Sequence, residues 1–309
     1  MPPSADRRVG SADLALIGAA LCFGGTFIVV QDAIEDVEPI PFIAMRFAIG
    51  AAVLWAFARG RPSSRGLWRD GGLVGVALLA GFVLQTVGLQ YTDTATSAFL
   101  TYLLVVFVPL MGFLAFGRRP HPAALGAIGL AVFGLVLLTG VVGSGPGFGR
   151  GELLTVGSAV AFAVQVVLLG ETAHRHDPLR LTAVQVSVVA VACALPGAAL
   201  GGYRFSGAAV AAAAATAVVA TAGGFALQVF GQRSVPPTRA SLVLLLETVF
   251  AGGLAALAGE TRTGLQYVGA VIILAAIVLG EVLPGPLDRT VRVREADLDN
   301  GRNRGDVVG

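Results

Sequence analysis

Two charges and a set of amides stand in this chain where water is expected to be absent. Arg46 lies in PFIAMRF (41–47) and Glu247 in LVLLLETVFAGG (242–253). By helical rise each sits roughly 9–10 Å from the start of its apolar run. A charge at that depth must be paired, hydrated or able to reach an interface. The Arg46 guanidinium offers a bidentate fork for an anion such as a substrate carboxylate; the bland reading is a tie to loop carbonyls or to the acidic outer loop. Glu247 suits proton coupling or a substrate amine, since a desolvated carboxylate is costly unless neutral or paired. Its bland reading is a brace between helices.

Gln85 and Gln228 belong to a repeat. Gly81–Gly88 reads GFVLQTVG and Gly224–Gly231 reads GFALQVFG, 143 positions later, with five of eight residues identical. Phe23 and Pro39 match Phe162 and Pro178 at an offset of 139, and Gly126 matches Gly269 at 143. The same offsets pair Thr26 with Gln165, Arg46 with Gln185 and Glu247 with the apolar Leu104. Thr26, Gln85, Gln165 and Gln228 therefore converge near one level if their faces point inward. They either line a cavity or hydrogen-bond across helix interfaces.

The elements that carry these residues are membrane helices. The chain has 309 residues, 55% hydrophobic and 13% charged, with a mean hydropathy of +0.81. That is too little charge to cover a soluble domain of this size. Turn residues and charges divide it into ten spans, at 14–31, 40–58, 71–90, 95–116, 123–142, 153–170, 181–201, 207–231, 240–258 and 265–283. The fold class expected is an all-α polytopic membrane protein of two five-helix repeats, covering 11–142 and 151–284, joined by Gly-rich Val142–Gly151. Residues 285–309 read as a polar, disordered tail. Although Arg7 and Arg8 precede the first run, no small-residue cleavage site interrupts it, so it reads as a retained helix.

Halves with an odd helix count insert in opposite orientations. With the N-terminus cytoplasmic, the inner loops and N-terminal segment collect twelve arginines, against Arg150, Arg204 and Arg262 outside. That excess matches the positive-inside rule and sets both termini in the cytoplasm.

These residues and their order resemble the bacterial drug/metabolite transporter superfamily, in its ten-helix branch of two EamA-type domains. The resemblance rests on FGGTFIVVQDAI (23–34), PFIAMRF (41–47), GLQYTDTATSAFLTYLLVVFVPL (88–110) and RRPHPAALGAIGLAVFGLVLLTG (118–140) in the first half. In the second it rests on GELLTVGSAVAFAVQVVLLG (151–170), QRSVPPTRASLVLLLETVFAG (232–252) and GETRTGLQYVGAVIILAAIVLGE (259–281). The chain departs from the pattern at Phe23, where Trp is usual, at Thr248, where Pro usually follows the glutamate, at Gly117, where an acid is common, and at Thr96, where a base is common.

The resemblance implies a secondary transporter in the bacterial cytoplasmic membrane. It would export small metabolites, amino acids first among them, by alternating access of the two repeats. It also implies a central cavity among the first, third, fourth, sixth, eighth and ninth helices. Thr26, Gln85, Tyr102, Phe162, Gln165, Gln228 and Glu247 are the candidate lining, with Phe23 and Phe27 as further walls and Arg46 and Glu247 as gating charges. Partners expected are a small-molecule substrate and lipid, with the chain a monomer or homodimer; a net charge of +2 suggests no nucleic acid. No cofactor or metal is expected, His174 and His176 having no further ligands beside them. A channel or lipid scramblase of the same fold is the alternative. A membrane-embedded enzyme would need a catalytic set such as HExxH or paired intramembrane aspartates, and neither occurs. No GxxxxGK[ST] loop is present for an ATP-driven pump.

Overall fold

The computed structural model describes residues 10–33, 37–92, 94–141, 149–199, 205–257, 259 and 263–282, and every regular element among them is helical. The helices are α1 (Ser11–Ala33), α2 (Pro39–Phe57), α3 (Leu67–Gly88) and α4, in two pieces (Thr94–Tyr102 and Leu104–Phe116). They continue with α5 (Pro122–Thr139), α6 (Arg150–Thr172), α7 (Pro178–Ala199), α8 (Gly207–Gln232), α9, again in two pieces (Pro237–Leu244 and Leu246–Leu257), and α10 (Gly264–Val282). Eight of these are long and apolar enough to cross a bilayer, and α1 and α10 contribute shorter apolar stretches at Ser11–Thr26 and Gly264–Gly280. The Gly-rich linker and the polar tail lie mostly or wholly outside the described residues.

Local sequence explains the ends. Pro39, Pro122, Pro178 and Pro237 each open a helix, where the missing N–H would have had no intrahelical partner anyway. Gly117 closes α4 with φ 65°, the left-handed conformation that glycine adopts without a Cβ penalty. Large apolar side chains such as Leu195 and Leu257, 82% and 85% exposed, have only lipid to face.

Inversion is visible in the packing. The mates α2 and α7 run antiparallel, with Trp55 meeting Ser187 and Arg61 meeting Asp177. The mates α5 and α10 also run antiparallel, with Gly134 against Gly269 and Ala127 against Gly280. The α3–α6 contact, Gly81 on Phe162, has its counterpart in the α8–α1 contact, Gly224 on Phe23. The two largest cores are drawn from α1, α4, α5, α9 and α10 and from α2, α3, α7 and α8, and α6 packs in smaller clusters against α3, α7 and α4.

Three spans that read as continuous helices are interrupted. α4 breaks at Leu103 and α9 at Leu245, equivalent places in the two repeats. In α9 the cause is Thr248, whose N–H and hydroxyl both turn to the Leu245 carbonyl, at 3.1 and 2.8 Å. Back-bonding of this kind bends helices. In α4 Pro109 lies just downstream and removes one ladder donor. α8 is π-helical over Ala217–Gly224, a geometry that recurs at functional sites.

α1 docks on the α9 break through Gly24. A Cβ there would lie 2.5 Å from the Glu247 carbonyl oxygen and 3.0 Å from the Ala251 nitrogen, both backbone. Gly24→Ala is therefore expected to lower stability by about 1–3 kcal/mol, the usual cost of overpacking. Thermal unfolding in detergent measures it, and an unchanged midpoint would mean that α1 can shift freely.

Candidate functional site

A cavity of about 230 Å³ runs between the two cores. Its lining extends to Pro39 and Phe42 at the start of α2, Leu89 just past the end of α3 and Ser97 at the start of α4. Those are the ends opposite the arginine-rich loops. All eight sequence-derived candidates line it: Thr26, Arg46, Gln85, Tyr102, Phe162, Gln165, Gln228 and Glu247. Phe23 joins them, whereas the Phe27 side chain lies outside the described residues.

The two helix breaks meet in this cavity. Tyr102 immediately precedes the α4 break and Glu247 follows the α9 break by two residues, which brings the Tyr102 hydroxyl close to the Glu247 carboxylate. Interrupted helices at mid-depth are the usual way a transporter fold presents a ligand site. Glu247 is the one carboxylate among the described residues of the lining. Arg46 stands within electrostatic reach of it, but no direct ion pair joins them.

Arg46 is 8% exposed and lies between the rings of Phe47 and Phe82, 5.9 and 5.8 Å from their centroids. Its Nε donates to the Thr221 hydroxyl at 2.8 Å. A symmetric aromatic set completes this wall. Phe23 tilts on Phe225 at 5.0 Å and Phe162 packs edge-on to Phe82 at 5.4 Å, while Phe82 and Phe225, themselves repeat mates, meet at 6.2 Å.

The four paired polar positions divide unevenly. Gln228 donates to Gln165 at 3.3 Å and to Gln232 at 3.1 Å. Gln165 donates onward to Gln185 at 3.3 Å, and Gln232 to the Val166 carbonyl at 2.8 Å. These amides bind α6, α7 and α8 together beneath the cavity. In the first half Gln85 donates instead to Thr101 at 3.2 Å, and the Thr26 hydroxyl turns back to its own helix at Cys22 and Phe23. Gln228→Leu is expected to destabilise the fold by about 1–3 kcal/mol, because it strands the buried oxygens of Gln165 and Gln232. Chemical or thermal unfolding tests this, and a neutral result would show that the amide chain carries no stability.

Toward the arginine-rich end the helices are tied. Arg61 pairs with Asp177 at 3.1 Å, Asp13 with Arg239 at 2.9 Å, and Arg118 with Glu171. His176, fully buried at its side chain, bridges Asp70 at 2.8 Å and Ser64 at 2.5 Å. At the opposite end Thr92 donates to Glu152 at 2.5 Å and Arg150 lies over Tyr91 at 4.9 Å. Cys22 and Cys193 are free thiols.

Sequence reasoning missed Thr101 and Thr221. Their repeat mates are Leu244 and Leu78, so the duplication gave no signal for either.

Comparison with known proteins agrees with this architecture. Residues 10–140 and 149–280 each match the model of the EamA-like transporter family. An uncharacterized transporter of Archaeoglobus fulgidus is 29% identical over 271 residues, covering 87% of this chain and 85% of that protein. A second uncharacterized transporter of the same organism is 27% identical over 276 residues, covering 88% and 96%. A solved structure described as "Crystal structure of protein" superposes with a TM-score of 0.77 at 22% identity, over 90% of this chain and all of that one, a likeness of fold.

Proposed function

The chain belongs to the EamA-like transporter family, and from that premise we propose that it is a secondary transporter for small zwitterionic metabolites, α-amino acids in particular. The observation that carries this reading is the cavity's pair of opposite charges held apart: Arg46 on one wall, Glu247 with Tyr102 on another, and phenylalanines between. A substrate carboxylate on Arg46 and its ammonium on Glu247 would satisfy both charges, which the protein leaves without a direct pair. The aromatic set takes the apolar part of the substrate.

The cavity's lining reaches the helix ends that lie away from the arginine-rich loops, at Pro39, Leu89 and Ser97. With those loops cytoplasmic, we read this state as open to the outside and closed inside by the amide chain and the ion pairs, the state from which an exporter releases its substrate. The proposed setting is the bacterial cytoplasmic membrane with both termini inside, a reading supported by the arginine excess of the inner loops. Reporter fusions at Gly145 and Gly201 are expected to read periplasmic, and those at Ser64 and His121 cytoplasmic. A cytoplasmic signal at Gly145 would overturn the assignment.

Reconstitution tests the function. Vesicles containing the purified chain and loaded with a mixture of unlabelled L-amino acids should accumulate labelled amino acids by counterflow, with saturation. Unsaturable ohmic conductance would make the protein a channel, and movement of labelled phospholipid without counterflow would make it a scramblase.

A further inference from the structure

The hydroxyl that holds Arg46 comes from an unusual place. Thr221 is fully buried and sits within the π-helical segment Ala217–Gly224 of α8. A π-helical turn is wider than an α-helical one and shifts side chains around the axis. Here it brings Thr221 against α2, where Gly50, one turn past Arg46, leaves room: a Cβ on Gly50 would lie 2.8 Å from the Thr221 methyl. The contact thus needs a distorted helix, a glycine and a hydroxyl together.

The other repeat supplies an internal comparison. The mates of Arg46 and Thr221 are Gln185 and Leu78, and α3, the mate of α8, is regular helix throughout. Without a hydroxyl at position 78, the buried Nε2 of Gln185 has no hydrogen-bond partner. Cation and acceptor occur together in one half and are both missing from the equivalent place in the other.

We propose that Thr221 is the positioning residue for Arg46, fixing Nε so that the two terminal nitrogens of the guanidinium present a fork to an anionic group in the cavity. This rests on the reading of Arg46 as the carboxylate anchor. Nε is the one guanidinium nitrogen that binding through the outer edge does not need, so its capture by Thr221 orients the group without consuming its capacity. The flanking Phe47 and Phe82 rings limit tilting. An unheld guanidinium keeps its charge and its planar fork but not their orientation, so a bidentate match to a carboxylate costs the ordering of the side chain.

The test compares Thr221→Val, which keeps the shape and removes the acceptor, with Thr221→Ser, which restores it. The Nε–H resonance of Arg46 in the purified full chain, assigned by its loss in Arg46→Lys, should be distinct and slow to exchange in wild type and Thr221→Ser. It should merge with the exposed arginines in Thr221→Val, and an unchanged resonance there would overturn the proposal. Thermal stabilisation by a mixture of L-amino acids is then compared with that by the corresponding amides. Thr221→Val should need about tenfold more of the acids for half-saturation and leave the amides unaffected, the scale of one hydrogen bond to a charged group. A preserved acid preference in Thr221→Val, with that preference lost in Arg46→Gln, would sink the positioning role alone. Its persistence in Arg46→Gln would remove the anchor and the proposal with it. If neither mixture stabilises wild type, the amino-acid reading fails while the resonance still decides whether Thr221 positions Arg46.

Discussion

Glu247→Gln is expected to leave folded yield unchanged and to abolish the pH dependence of flux. The substitution keeps side-chain volume and an acceptor oxygen beside Tyr102, so the packing between the α4 and α9 breaks is expected to be preserved. What it removes is the one titratable carboxylate among the described residues of the cavity. If that carboxylate binds a proton in one phase of the cycle and a substrate ammonium in the other, wild-type flux follows proton concentration and the variant's does not. Loss of an ionic contact to the ammonium should also lower kcat/KM by roughly 10²-fold, the usual range for truncating one partner of a buried charge pair. Flux measured from pH 5 to pH 8 in proteoliposomes reads both effects. A variant with wild-type flux and wild-type pH profile would reduce Glu247 to a packing residue.

Of the eight sequence-derived candidates that line the cavity, six were conspicuous for a physical reason, while Tyr102 and Phe162 entered as aromatic walls of the cavity that the resemblance implies. A charge or an amide in an apolar run has few places to go, and the repeat placed several of them at matching depths. Arg46 and Glu247 were legible from their cost alone, and Gln85 and Gln228 from duplication. Thr221 and Thr101 were not, since a threonine in a membrane helix ordinarily bonds back to its own turn, as Thr86, Thr139 and Thr155 do here. Nothing local distinguishes a threonine that reaches across.

The same limit applies to helix geometry. Number and order of the spans followed from hydropathy, and the described helices fall on those spans with shifts of a few residues, the largest at α3, which begins at Leu67 because Arg69 and Asp70 can sit at the interface. The breaks were hidden because Leu103 and Leu245 are strong helix formers, interrupted by neighbours rather than by themselves. The π-helical run AVVATAGG has no proline and one hydroxyl, so its pattern reads as plain apolar helix. The α9 break follows from the back-bonding of Thr248, which a threonine in an apolar run does not announce.

Duplication also explains where the chemistry lies. Symmetric pairs became framework: Phe23 with Phe162 and Gly81 with Gly224 pack the same way on both sides of the pseudo-two-fold axis. Contacts that define polarity break that symmetry. Tyr102 and Glu247 correspond to Leu245 and Leu104, and Arg46 and Thr221 to Gln185 and Leu78. An inverted repeat with identical halves would offer the same groups at both ends of a substrate. A zwitterion needs a cation at one end and an anion at the other, so the asymmetric residues are those a directional ligand would select.

Arg46→Gln should accordingly cost the most of any single substitution in transport while costing little in folding. Among the described residues no acid contacts Arg46, so its removal strands no buried carboxylate. Thr221 keeps a partner, because a glutamine amide of nearly the same reach can donate to its hydroxyl. The aromatic walls of Phe47 and Phe82 lose a cation worth about 0.5–2 kcal/mol to them, partly offset by relief of its desolvation. Transport loses much more. A carboxylate brought to mid-depth without its counter-charge faces the full penalty of desolvation, and kcat/KM for zwitterionic substrates should fall by about 10²–10³-fold. The amide derivative of the same amino acid carries no anion and should be moved about equally by both proteins. Initial rates for acid and amide, measured side by side in proteoliposomes, separate these outcomes. An equal loss for both would assign Arg46 to gating rather than to the substrate.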